Sequence, residues 1–150
     1  MAGNFGELVL VLGDLHIPQR ASLIPEKFKR MLVPNKMQHV LCTGNIGSRQ
    51  QYEELRNLAP NVHITAGDYE FNAPTFTSTA NNSDPSEATG AGNGPTSTPS
   101  AFPESKVITV GEFRIGLLHG HQIVPAADHS VLDMQRRLMD VDILIHEHNH

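Results

Sequence analysis

The run Leu8-Val9-Leu10-Val11-Leu12 passes without a break into Gly13-Asp14-Leu15-His16-Ile17-Pro18. A continuous apolar stretch of this kind reads as a strand buried on both faces, delivering a carboxylate and an imidazole to its C-terminal end. Four later stretches repeat the layout. Residues 39–43 lead to Gly44-Asn45, residues 62–66 to Gly67-Asp68, residues 115–118 to His119-Gly120-His121, and residues 142–145 to His146-Glu147-His148-Asn149-His150. Behind a single strand, Gly-Asp or Gly-Asn is only a turn signal, and one His at a strand end is usually structural. Five such ends in one chain, all on the edge where open α/β sheets bind their ligands, form the layout of a metal site.

Between these strands the pattern is helical. Residues 25–33 read as a short helix, with Pro25 suited to the first turn, Phe28, Met31 and Leu32 on one face, and Pro34 as the stop. Ser48-Arg49-Gln50-Gln51 opens a second helix with a capping-box pattern, and Tyr52, Leu55, Leu58 and Ala59 supply its buried stripe. Strands are expected at 38–43 and 61–66, so the first half alternates β-α-β-α-β, the pattern of a parallel, helix-covered sheet. From about 71 to 105 the chain turns to Ser, Thr, Pro, Asn, Gly and Ala. Such a composition cannot bury enough surface to offset the entropy of ordering, and it reads as a disordered loop inserted into a single domain spanning 1–150. Residues 106–110 and 113–118 then form a hairpin across Gly111-Glu112. Asp128 caps a helix whose inner face is Val131, Leu132, Gln135, Leu138 and Met139, and residues 141–145 make the last strand.

The net charge of -5 and the lack of a Lys/Arg cluster exclude a nucleic-acid partner, because phosphate binding needs a basic footprint. The single cysteine, Cys42, lies in an apolar strand, cannot form an internal disulfide, and suits a reducing compartment. The N-terminal stretch has no basic segment, its apolar run is shorter than a signal-peptide core, and no window approaches a membrane span. The expectation is a cytoplasmic protein that reaches membranes only through a partner. His39 and His63, inside strands, read as structural.

The strand ends together resemble the calcineurin-like metallophosphoesterase superfamily, over about residues 7–70 and 104–145. Its signature is Asp-x-His, then Gly-Asp, Gly-Asn-His-Asp, His, and Gly-His-x-His. The resemblance implies an α/β sandwich of metallophosphoesterase type, here shortened at the C-terminus. It also implies a set of metal ligands: Asp14, His16, Asn45, Asp68, His119, His148 and His150, for Zn or Mn, weakly bound or absent. Two divalent ions about 4 Å apart repel by roughly 16 kcal/mol at an effective dielectric near 20, which a bridging carboxylate offsets. The family places that carboxylate in its second motif, where this chain has Asn45. In the third motif Gly67-Asp68-Tyr69-Glu70 replaces Gly-Asn-His-Asp, so the His that assists the leaving group has become Tyr69. Glu147 stands where Gly-His-x-His has its Gly, an exchange that strains the turn if that position has positive φ.

Within the superfamily, the wording Leu12-Gly13-Asp14-Leu15-His16-Ile17-Pro18, Leu41-Cys42-Thr43-Gly44-Asn45, His119-Gly120-His121-Gln122 and Val141-Asp142-Ile143-Leu144-Ile145 is similar to the branch serving the retromer coat. That likeness implies a non-catalytic scaffold subunit on endosomal membranes, acting in protein retrieval to the Golgi and plasma membrane. It would bind the long α-solenoid subunit through its metal-site face, and through that subunit the arrestin-like one. The apolar residues matched to this contact are Leu15, Ile17 and Pro18; Met31 and Leu32 match a second surface. The alternatives are an active metal-dependent phosphodiesterase and a non-catalytic metal-binding module.

Overall fold

The computed structural model describes residues 6–69 and 102–147. Most of the expected loop, residues 71–101, and the motif residues His148 and His150 lie outside the described residues. Strands β1 (Val9–Leu12), β2 (His39–Cys42) and β3 (Asn61–Ile64) form one parallel sheet in the order β1-β2-β3. Strands β4 (Ser105–Val110), β5 (Phe113–Leu118) and β6 (Ile143–Ile145) form a second sheet, with β4 antiparallel and β6 parallel to β5. The hairpin turns between Val110 and Phe113, which face each other, and Gly111 takes φ 58° there. Its first strand starts at Ser105, and just before it Pro103 accepts a hydrogen bond from the Ala66 N–H while Phe102 packs on Tyr52. Residues 102–105 thus belong to the folded body and not to the expected loop.

Side-chain alternation along β2 divides the core in two. Val40 and Cys42 face α2 (Arg49–Arg56) and cluster with Ile46, Leu55, Leu58, Ala59 and Ile64. Leu41 faces the other way and packs with Ile108, Ile115 and Leu117 of the second sheet. On the outer face of β5, Gly116 approaches Met139, Val141 and Leu144, which brings α3 (His129–Leu138) against that side. The layers run α2, first sheet, second sheet, α3.

Three helical expectations change in detail. The first helix, α1, covers only Glu26–Lys29, with Pro25 as its N-cap residue. A single turn cannot present Phe28, Met31 and Leu32 together: Phe28 and Met31 are exposed, and only Leu32 reaches the core. At α2 the Ser48 hydroxyl accepts from the Gln51 N–H, but the Gln51 amide donates to Glu54 instead of reaching back, so half of the capping box forms. In α3 the half-buried residues include Leu132, Arg136 and Met139, which turns the contact face away from Leu138 and leaves that residue 75% exposed.

Candidate metal centre

The strand ends meet. Asp14 and His16 follow β1, Asn45 follows β2, Asp68 follows β3, and His119 follows β5. Asn45 is fully buried, and its Nδ2 donates to Asp14 Oδ1 and to Asp68 Oδ1, each at 2.8 Å, while lying 2.9 Å from His119 Nε2. His119 Nε2 is 3.1 Å from Asp14 Oδ1 and 3.9 Å from Asp68 Oδ1. His121 joins from the same loop, its Nδ1 3.1 Å from His119 Nδ1. The Tyr69 N–H donates to Asn45 Oδ1 at 3.0 Å, and the Tyr69 ring meets the His16 ring edge-on at 5.7 Å between centroids.

Backbone strain accompanies this convergence. Asp14, His16 and Asn45 take φ of 49°, 45° and 55°, in the left-handed region that ordinary residues avoid. Each costs about 1–3 kcal/mol and persists only where its surroundings hold it. Here the Asp14 N–H donates to Gly44 O and the His16 N–H to Asn45 O, so the loops behind β1 and β2 lock each other. Gly67 has to be glycine for a spatial reason: a Cβ there would lie 2.1 Å from Asn45 Oδ1.

Among the described residues no three His, Cys, Asp or Glu side chains already stand as a metal-holding group, and the Asn45 amide nitrogen fills the centre of the cluster. The residues nonetheless fit a divalent ion. His16 Nε2 is buried, 3.5 Å from Asp14 Oδ1, and has no hydrogen-bond partner. An unmet buried polar atom costs about 1–3 kcal/mol, and a cation among these groups would satisfy it. Imidazole and carboxylate donors suit zinc or manganese, and Asn45 would join them by turning its amide so that Oδ1, here bonded to the Tyr69 N–H, faces the cluster.

A model of the calcineurin-like phosphoesterase superfamily domain matches residues 8–150. The chain belongs to that superfamily. It is 33% identical over 138 residues to vacuolar protein sorting-associated protein 29 (Vps29) of Schizosaccharomyces pombe, covering 92% of this chain and 59% of the relative. Among solved structures it is similar to Vps29 of Cryptosporidium parvum, at 37% identity and a TM-score of 0.75 over 97% of this chain and 66% of that one. It is also similar to Entamoeba histolytica Vps29 in complex with Zn2+, at 37% identity and a TM-score of 0.66 over 92% of this chain and 62% of that one. The chain thus spans about three fifths of the length of the curated relative.

Of the three residues expected at the apolar rim, Pro18 alone is exposed. Ile17 is only 7% exposed, its N–H bonded to Ile46 O, and it is part of the interior. Leu15 is half-buried against the core around Val40, while Pro18 is exposed. Of the second surface, Met31 is exposed and Leu32 is half-buried. An exposed apolar residue that sequence reasoning did not single out is Val124, 80% exposed in the loop behind His119 and His121. Its signal was present as Ile123-Val124-Pro125, an apolar group placed directly after the histidine motif. Nor does Glu147 strain its turn, since it is not among the residues with left-handed backbone.

Proposed function

We propose that this chain is a non-catalytic scaffold subunit of the retromer coat, carried on the cytoplasmic side of endosomal membranes. It binds the long α-solenoid subunit, vacuolar protein sorting-associated protein 35, and through it the arrestin-like subunit. Relatedness to Vps29 over nine tenths of the chain carries the reading. The apolar rim supports it, with Val124 and Pro18 exposed on loops at the edge where the ligand residues gather. No helix among the described residues is long and apolar enough to cross a membrane.

Asp14, His16, Asn45, Asp68 and His119 would hold a divalent ion, joined in the family motif by His148 and His150. Such an ion supplies Lewis-acid polarisation of an oxygen ligand. Asn45 in place of a bridging carboxylate, and Tyr69 in place of a His, weaken the second metal position and the leaving-group proton donor. A bound ion would therefore hold these side chains as part of a docking face, without the residues that hydrolysis needs.

The test is co-purification with the solenoid subunit. An apolar anchor made charged at the centre of an interface costs about 2 kcal/mol or more. Val124→Asp should abolish co-purification while leaving the melting curve unchanged, because the side chain is already in solvent. Ile17→Asp should instead unfold the chain. Wild-type binding by Val124→Asp, or absence of the solenoid subunit from native pull-downs, would overturn the reading.

A further inference from the structure

The metal-ligand residues come from two sheets, and the ends of those sheets must be held together for the ligands to converge. Glu147, which replaces the family's glycine, touches both. It follows β6, its backbone N–H donates to His119 O at 2.9 Å, and its carboxylate Oε2 accepts from Thr43 Oγ1 at 3.1 Å. Thr43 is buried at the end of β2, two residues before Asn45. The pair lies over Gly13, where a Cβ would be 1.9 Å from Thr43 Oγ1 and 2.2 Å from Glu147 Oε2. Gly13 does not have positive φ, so what it provides is room for this contact and not an unusual turn.

We infer that Glu147 is a positioning residue: through Thr43 and the His119 carbonyl it ties the ends of β2, β5 and β6 into one unit, and so sets the metal affinity of the site. It acts by accepting one hydrogen bond and does not itself bind the ion. The inference rests on the reading of the cluster as a metal centre.

The experiment is titration of the full chain with Zn2+ against a chromophoric chelator, with metal-free melting curves alongside. Removing an outer-shell partner costs about 10-fold in metal affinity at the low end. Glu147→Ala and Thr43→Val should each weaken Zn2+ binding by about that factor, and the double variant should be no weaker than either single one, because both remove the same bond. Glu147→Gln, whose amide oxygen still accepts the Thr43 proton, should bind like wild type. Equal loss in Glu147→Gln and Glu147→Ala would overturn the proposal in favour of direct ligation by the carboxylate, and additive losses would overturn it by showing no shared bond. Wild-type binding by Thr43→Val disproves the tether alone, whereas no Zn2+ binding by the unaltered chain removes the metal reading and the tether with it. Should Thr43→Val fail to fold, the contrast between Glu147→Ala and Glu147→Gln decides.

Discussion

Asn45 is the residue on which the chemistry of the site turns. It is fully buried, it donates to Asp14 and Asp68, and its oxygen accepts from the Tyr69 N–H, so it is held from both ends. A carboxylate in its place would supply the charge that two closely spaced cations need. Restoring Asn45→Asp together with Tyr69→His should therefore raise Mn2+-dependent hydrolysis of a generic phosphodiester above a negligible wild-type background. Wild-type turnover of about 1 per second or faster would show that the chain is an enzyme as it stands. His63 makes a second prediction. Burial, Lys106 and His39 together hold its pKa below the ordinary 6.5. The unfolded chain then binds more protons than the folded one, so His63 contributes nothing unfavourable above about pH 6.5 and destabilises the fold as pH falls through and below that value. The melting temperature should drop between pH 7.5 and 5.5, and His63→Asn should make that drop shallower. An unchanged slope would mean that another group controls it.

Helix starts show how far local chemistry reaches. Ser48 caps α2 by accepting from Gln51, and Asp128 caps α3 by accepting from Ser130 and Val131 at 2.8 and 3.2 Å. Ser48→Ala and Asp128→Ala should each cost about 1 kcal/mol by denaturant titration. Both caps were legible in the sequence because a cap is specified by its neighbours. The strands were legible as apolar runs, but burial on both faces holds for β2 and not for β1, which lies at the end of the described first sheet with Val11 exposed; the convergence of Asp14, His16, Asn45, Asp68 and His119 followed from their places at strand ends. What could not be read was decided by contacts distant in sequence. Ile17 and Val124 are similar residues beside similar motifs, yet Ile17 is buried because the loop behind β2 closes over it. A Cβ on Gly47 would lie 2.4 Å from Ile17 O. Val124 meets no such neighbour and stays in solvent. The shortening of α1 has a local origin that hydrophobic periodicity ignores: Pro34 disfavours helix in the residue before it, and one turn gains too few hydrogen bonds to extend.

The described residues form two sheets whose facing sides meet at Leu41, and the ligand side chains converge only while they meet. Leu41 is fully buried against Ile108, Ile115 and Leu117. Four residues after it comes Asn45, carried by the first sheet, while His119 directly follows Leu118 at the end of β5 in the second. Leu41→Ala should cost about 2–5 kcal/mol, a large part of a typical domain's 5–15 kcal/mol. It should also weaken Zn2+ binding, although Leu41 is not itself a ligand, because it loosens the surface along which the two halves of the ligand set are brought together. By linkage, an ion held by both sheets would in turn stabilise the packed state by about 2.7 kcal/mol at 100 times its dissociation constant. Saturating Zn2+ should therefore recover part of the melting temperature lost in Leu41→Ala, and none of it once His119→Ala is added. If Zn2+ raises the melting temperature of the Leu41→Ala, His119→Ala double variant as much as that of Leu41→Ala, the ion binds without bridging the sheets.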